Sequence, residues 1–599
     1  MNLTRKLFQR KNPGYALLIT LVFIGVALLL LGSVMDWSNS TAKQTERNNL
    51  FSMSTGAAEA ATERVIAQMS RDFYNQSLNA ATNYMQAGLV PATTAWPVQF
   101  SFGNPSNNDS LAYVSTLPAN WTTNFVDINS FNSEYAGLHA YVAQCTVTAT
   151  ATTLNQPYDV SATVRQQFQL AAIPIFQFAI FYNLNMEVDP GAAMNITGPV
   201  FSNGGIWTAS STLDYNSSVE AAQTVDTNLA DPYAGGKTGS GNSTFSTNYP
   251  PVSGANTLAL PINTATSTND PAAVRDLLNL PPSGTDPYSS TGQLYFANQA
   301  NIIISNSSSG VVSAFFQDTN SVEPLEPIPY DVTTVTQNGS TYTTNQSYSF
   351  VTNASFYDFR EKKTANSVQL NVGALNAWLN STNGSTFNNQ MNYDTGHNID
   401  SVYVYNGAPA SSTTLPAVRV ANGATLPSSG LTIVSPDPLY VLGNYNANGQ
   451  SLNNGANVAN TAPAALIGDA ITVLSPSWSD SYSLANKTAT NPNGRPASAT
   501  TVNAATFEGI VPSNGNNYSG GVENFLRLLE NWSGKTLTYN GSIVVMFPSQ
   551  YATNNWAYGG YYTAPNRAWA FDVNFMSQGG LPPLTPQIRT LVRQSWAVE

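Results

Sequence analysis

The sequence predicts an α+β protein: one long N-terminal helix followed by a large β-rich region. Three observations carry this. Residues 15–35, YALLITLVFIGVALLLLGSVM, hold no charged side chain. No proline falls between Pro13 and Pro91, although the 599-residue chain contains 35. Further on, short β-branched and aromatic runs are separated by Asn, Gly, Ser and Pro, the residues of turns.

Composition narrows the function. Charged residues are 9% of the chain and aromatics 11%, which fits neither a disordered acidic tail nor an ordinary cytosolic enzyme. The net charge of −12 speaks against nucleic acid as a partner, because phosphate contacts need clustered Lys and Arg. A single cysteine, Cys145, excludes an internal disulfide, so the fold must rest on burial and backbone pairing.

Residues 1–14 form a basic leader with Arg5, Lys6, Arg10 and Lys11 and no acid. Residues 15–35 follow as a membrane segment, with Tyr15, Leu18, Ile19, Leu21, Phe23, Leu28, Leu30 and Met35 among its apolar positions. Twenty-one residues rising about 1.5 Å each span about 30 Å, the thickness of a bilayer core. The basic flank before it and Asp36 after it predict a single pass through the inner membrane. The N-terminus is then cytoplasmic and the bulk lies outside. The rival readings are a buried core helix and a secretory signal cleaved near Gly32-Ser33, whose apolar region is normally shorter.

Residues 36–88 read as an amphipathic extension of the same helix. Leu50, Met53, Ala57, Ala61, Val65, Met69 and Phe73 recur every three or four positions, with Glu46, Arg47, Glu63, Arg64 and Arg71 mostly between them. A single helix from Tyr15 to about Met69 is roughly 80 Å long. Two helices hinged near Gly32-Ser33 or Gly56 are the alternative.

Residues 89–175 are expected to form an antiparallel β module against this helix. Within it, 141–150 and 158–168 make a hairpin around Leu154-Asn155-Gln156-Pro157. Residues 176–599 are expected to be a β-rich exported region. Its short strands show no fixed period, which suits an irregular β-helix or stacked sheets. Residues 209–257, rich in Ser, Thr, Asn and Gly, read as a low-complexity surface loop, and 413–429 as another. Three short helices are expected: one after Asp270-Pro271, one over 521–532 (GVENFLRLLENW), and one after Thr585-Pro586 (QIRTLVRQSW).

Little chemistry is visible. His139 and His397 are isolated, and no multi-histidine metal site or catalytic triad can be built from them. Gly236-Lys237-Thr238 and Gly534-Lys535-Thr536 lack the earlier glycine of a phosphate loop. Asp189 and Asn203 have the oxygens to chelate calcium, but turn formation is the commoner role of such residues. Exposed Trp and Tyr suit sugar stacking, though most belong in a β-rich core. The cluster Asp358, Arg360, Glu361, Lys362 and Lys363 reads as an ion-pair network before a ligand site. No cofactor, metal or enzymatic activity is expected.

The basic leader, Asn12-Pro13-Gly14, an aromatic residue and ALLITLVFIGVALLLLG together resemble the N-terminus of type IV pilins, most nearly the PilX-type minor pilins. The stretch GAAEAATERVIAQM around Glu59 is similar to that family's post-membrane helix. The resemblance covers about the first 70 residues. It implies cleavage after Gly14 by a prepilin peptidase and methylation of the new amino group of Tyr15. It also implies other pilin or pseudopilin subunits and the lipid bilayer as partners, with the pilus or cell surface as the destination after assembly. One position departs from the pattern. Major pilins carry a glutamate at the fifth mature position, where this chain has Ile19. That departure and the size of the chain suggest a rare or terminal subunit, similar to the large minor pseudopilin of type II secretion. A minor pilin or pseudopilin is therefore the expected function. The alternative is a membrane-anchored adhesin or envelope protein that enters no filament.

Overall fold

The computed structural model describes residues 13–74, 84, 96–103, 113–114, 124–128, 137–231, 237–238, 241–260, 270–289, 291–318, 325–337, 340–447, 461–515, 517–557 and 559–598. It is α+β, a long apolar helix followed by a large β-rich region. The leader residues 1–12 and most of 75–95 lie outside the described residues.

The helix runs unbroken over Pro13–Tyr74, 62 residues, or about 90 Å. No hinge interrupts it at Gly32 or Gly56. Its few polar side chains in the apolar half are satisfied locally. Thr20 Oγ1 donates to the Ala16 carbonyl at 2.9 Å, and Ser33 Oγ to the Leu29 carbonyl at 2.8 Å. Such bonds let a hydroxyl sit in an apolar surrounding without a water partner.

The second half of the helix lies on an antiparallel sheet ordered Gln99–Gly103, His139–Leu154, Ser161–Pro174, Gln587–Val598. The long hairpin alternates buried side chains with half-buried or exposed ones as far as Phe168, the pattern of a sheet with one covered face, and from Gln169 to Pro174 it is buried on both faces. Its fourth strand corrects two expectations. The segment after Thr585-Pro586 is a strand and not a helix, and the module does not close by residue 175. Ile588, Thr590 and Val592 point inward at a period of two, and all three are β-branched. In a short segment, Ile588, Leu591 and Val592 fit a helical spacing equally well, so periodicity alone cannot decide.

After Ile175–Gln177 the chain winds into parallel coils. Ile180–Tyr182, Val200–Ser202 and Val219–Ala221 stack in register. Met186–Val188, Ile206–Thr208 and Val225–Asp226 form a second ladder, and Met194–Ile196, Leu213–Tyr215 and Thr244–Phe245 a third. Three ladders of short parallel strands define a β-helix, one of the two architectures left open by the sequence. Residues 209–257 are therefore not simply loop: Leu213–Tyr215, Val219–Ala221, Val225–Asp226, Thr244–Phe245 and Val252–Ser253 are rungs of it. The few apolar residues of this stretch, Leu213, Tyr215, Val219 and Ala221, are the ones turned inward in these two- and three-residue rungs.

A second run of coils follows, with Ile302–Asn306, Ser401–Asn406, Leu431–Val434, Ala464–Ile467, Ala505–Ile510 and Ile543–Pro548 paired in parallel. Its other long sheet includes Thr414–Gly423, almost wholly buried, where a loop was expected. The helix after Asp270 forms as Pro271–Asp276, its first turn capped by Asp270. The helix over 521–532 does not. That segment holds one 3-10 turn, Val522–Asn524, and the strand Arg527–Leu528. Val522, Phe525, Leu526, Leu528, Leu529 and Trp532 are all buried, so the segment is enclosed on every side and no solvent face selects a helix.

The two runs meet at a seam. Ile543–Pro548, from the last coils, pairs in parallel with Ile180–Tyr182 of the first. The sheet from Val252–Ser253 to Ile302–Asn306 is thereby continuous, although its middle joins chain segments hundreds of residues apart. Buried asparagines stack between coils: Asn540 Nδ2 donates to Asn503 Oδ1 at 2.7 Å, and Asn503 Nδ2 to the Asn446 carbonyl at 3.0 Å.

Candidate functional site

The helix has two environments. From Tyr15 to Trp37 its large apolar side chains are exposed, Tyr15 at 71% and Ile19 at 49%. Leu18, Leu21, Phe23, Leu28, Leu30 and Met35 are equally bare, and a Cβ placed on Gly14 meets nothing within 4 Å. Among the described residues, one helix is long and apolar enough to cross a membrane, and this is it. A row of exposed Leu, Ile, Val and Phe is unstable in water and matches a hydrocarbon environment. Gly14 and Tyr15 sit in the first turn, away from the folded body.

From Leu50 onward the same helix is docked. Leu50 is buried, and Ala57, Ala58, Ala61, Val65, Ile66, Met69 and Phe73 share one core with Ala143, Cys145, Val147, Val164, Phe168 and Leu170 of the sheet. The alanines bring helix and sheet close, and the larger side chains fill the far end. Polar bonds fix the register. Ser54 Oγ donates to the Val160 carbonyl at 3.2 Å, and Gln166 Nε2 to Thr62 Oγ1 at 2.8 Å and Glu63 Oε1 at 2.9 Å. Arg593 of the C-terminal strand pairs with Glu63 at 2.6 Å, and this hydrogen bond holds the Glu63 carboxyl below its usual range. Arg589 donates to the Phe73 carbonyl and stacks 5.0 Å from its ring, placing a cation at the negative end of the helix. Cys145 is buried in this interface, and burial pushes its thiol up to about 12.

The candidate chemical residues are not brought together. His139 is stacked on Phe125 with centroids 5.5 Å apart, and His397 faces Asp400 at 3.2 Å. Asn203 spends its amide within the coils, donating to Asn183 Oδ1 at 2.8 Å and the Leu258 carbonyl at 2.7 Å. Asp189 lies beside Glu523, whose carboxylate accepts the Asp189 amide at 3.3 Å. Lys535 stands in an exposed turn, and Gly236 lies outside the described residues. Among the described residues no group of three or more His, Cys, Asp or Glu is placed to hold a metal.

The 358–363 cluster is a turn between two antiparallel strands, and its acids are turned inward. Asp358 accepts the amides of Arg360 at 2.7 Å and Glu361 at 2.9 Å, and the Tyr440 hydroxyl at 2.6 Å. Glu361 pairs with Arg527 at 2.9 Å and accepts the Asn554 amide at 3.0 Å. Asp469 is paired with Arg275 at 3.2 Å and accepts the amides of Gln550, Tyr551 and Ala552 at 2.7–3.0 Å. Glu361 and Asp469 hold the connection that follows Ile543–Pro548. Glu361 belongs to the charged cluster marked in the sequence, whereas Asp469 carries no such signal.

No family model matches the chain, and no curated protein does. Among solved structures, the crystal structure of the competence-associated pilin ComZ from Thermus thermophilus is similar over 91% of this chain and 96% of that one. The identity is 10% and the TM-score 0.27, too low to equate the two folds.

Proposed function

We propose that this chain is a membrane-anchored, non-catalytic, pilin-like subunit: a minor pilin or pseudopilin with an enlarged β-helical domain. The observation that carries the reading is the continuous helix Pro13–Tyr74, bare and apolar in its first half and docked on an antiparallel sheet in its second. Such a helix serves two purposes in turn. It holds the subunit in the bilayer, and it offers the same apolar surface to neighbouring subunits in a filament core. The N-terminal resemblance to PilX-type pilins supports cleavage between Gly14 and Tyr15, methylation at Tyr15, and an outward-facing bulk. Ile19, in place of a glutamate, favours a terminal or priming position over a repeated one, since a carboxylate in an apolar core persists only beside a partner.

N-terminal mass spectrometry of the protein from cells with and without prepilin peptidase tests this. A methylated Tyr15 start that disappears without the peptidase supports the pilin reading. An intact Met1, or a start near Ser33, overturns it and leaves an anchored or secreted surface protein.

A further inference from the structure

The last strand, Gln587–Val598, is an edge. One flank pairs with Ser161–Pro174, and no strand among the described residues pairs with the other. Ile175 donates its amide to the Pro586 carbonyl, which fixes the alternation of the antiparallel ladder. Ile588 and Thr590 therefore turn their amides and carbonyls to the hairpin, and Gln587, Arg589 and Leu591 turn theirs outward. The register slips only between Arg593 and Ser595, so the edge is regular up to Arg593. A bulge blunts an edge against added strands, and this stretch lies before it.

A cavity of about 260 Å³ opens beside the same residues. Leu260, Leu277 and Phe296 form one wall, and Leu584, Gln587 and Arg589 the other. Leu584 is held at φ 58°, a left-handed backbone that is strained for leucine. Gln293 and Gln299, also on the lining, spend their amide nitrogens on nearby carbonyls of their own segment. Arg589 is different. Its bond to the Phe73 carbonyl uses one N–H, while Nε is buried and has no acceptor. Burial pulls its pKa down to about 10, with no acid to oppose the shift. Residues 75–95 and 261–269, which continue the chain from the helix and from Leu260, contain no Asp or Glu. A buried cation short of an acceptor is costly, and an incoming carboxylate removes that cost.

We propose that this edge and cavity bind an extended peptide of a partner protein, with an apolar residue and an Asp or Glu two positions apart. The peptide backbone adds to the outward groups of Gln587, Arg589 and Leu591 as a further strand. Residues two apart share a face of a strand, so the apolar one enters the cavity while the carboxylate meets Arg589. Strand addition draws affinity from the main chain and specificity from pockets for alternate side chains. The cavity is smaller than the roughly 300–1,000 Å³ of small-molecule sites and suits one or two side chains. A helix cannot use the strand edge, and a neutral peptide leaves Nε unpaired. The site lies on the docked sheet, so the proposal does not depend on how the N-terminus is processed.

The test is fluorescence anisotropy with the full chain in detergent and a labelled octapeptide, Thr-Val-Thr-Leu-Thr-Glu-Thr-Val. Three altered peptides are the controls: Gln for the Glu, Ser for the Leu, and Pro for the Thr between them. The parent peptide is expected to bind, and each control to bind about tenfold more weakly or worse. In the protein, R589Q removes the cation, and Q587P removes one outward N–H at the first strand position, where proline is tolerated. Both should weaken the parent peptide about tenfold. Q587P leaves the contact of Arg589 with the helix in place, so it separates a lost site from a loosened helix. Lys535→Gln, outside the cavity, should leave the affinity unchanged. No binding at about 1 mM peptide, equal binding of any control peptide, or undiminished binding to Q587P each overturns the proposal. So does self-association of the chain that Q587P abolishes and the peptide does not displace, which assigns the edge to a second copy.

Discussion

Arg593 and Glu63 stand 530 positions apart, yet the two terminal nitrogens of the arginine each lie 2.6 Å from one oxygen of the glutamate. The last strand therefore clasps the first helix. The pair is partly exposed on both sides, so its own contribution is small. The strand is the larger matter, because it pairs with Ser161–Pro174 along almost its whole length.

Ending the chain at residue 586 is expected to loosen the docked half of the helix, so that the backbone at Arg64 and Arg71, whose side chains are already exposed, unwinds and is cut by trypsin. A double-mutant cycle on E63A and R593A should give a coupling of only about 0.5–1 kcal/mol in urea unfolding. A truncated chain whose helix resists trypsin as well as the whole protein does would show that the strand is dispensable.

Arg527 and Glu361 are a different case, since both are buried. Replacing Arg527 by Met strands the carboxylate in the interior and should cost about 3–5 kcal/mol of stability. The double variant R527M/E361Q should recover much of that loss. Denaturant midpoints check both, and equal losses in single and double variants would remove the pair from the account.

Stability should fall as pH rises through the mildly acidic range. Burial pushes Asp437, Glu523 and Glu530 each up to about 7, against about 4 for unfolded carboxyls. Between those values the folded chain binds more protons than the unfolded one, so protonation favours folding. Glu63, held low by Arg593, acts in the opposite sense from a partly exposed position. The melting temperature should therefore be higher at pH 5 than at pH 7.5, with a shallower slope in E530Q. A melting temperature that climbs over that interval would contradict this.

Cys145 should not react with a thiol reagent at pH 8 until the protein unfolds, because burial keeps it protonated and covered by the helix. Rapid labelling of the native protein would mean that the helix leaves the sheet easily.

The helix was legible because its signals are local. An uncharged run, a proline-free stretch and a three-to-four-residue spacing are all properties of neighbours. The hairpin was legible for the same reason, its period of two being clear around Val160, Ala162 and Val164. The coils were not. Asn306 meets Asn406 at a separation of 100 positions, Asn446 meets Asn503 at 57, and Asn503 meets Asn540 at 37. Coils of such unequal length leave no repeat to detect, because inserted helices and hairpins, such as Asp331–Gln337 with Ser340–Ser347, lie between rungs. Residues 521–532 show a second limit: a run of buried side chains with helical spacing forms a helix only if one face is left for water. The 358–363 turn was half legible. It stood out by charge, but the sequence could not say that Asp358, Arg360 and Glu361 face inward and Lys362 outward.

The seam between the last and first coils also sets a timetable. Asn183 donates to the Met546 carbonyl, 363 positions further on. A chain made N-terminus first thus presents the strand Ile180–Tyr182 long before its partner Ile543–Pro548 emerges. Throughout that interval one flank of the growing stack is an unfilled row of amides and carbonyls, the template on which foreign strands add. Completion of the body is tied to the arrival of its final tenth, and interrupted synthesis would leave a fragment with an adhesive rim.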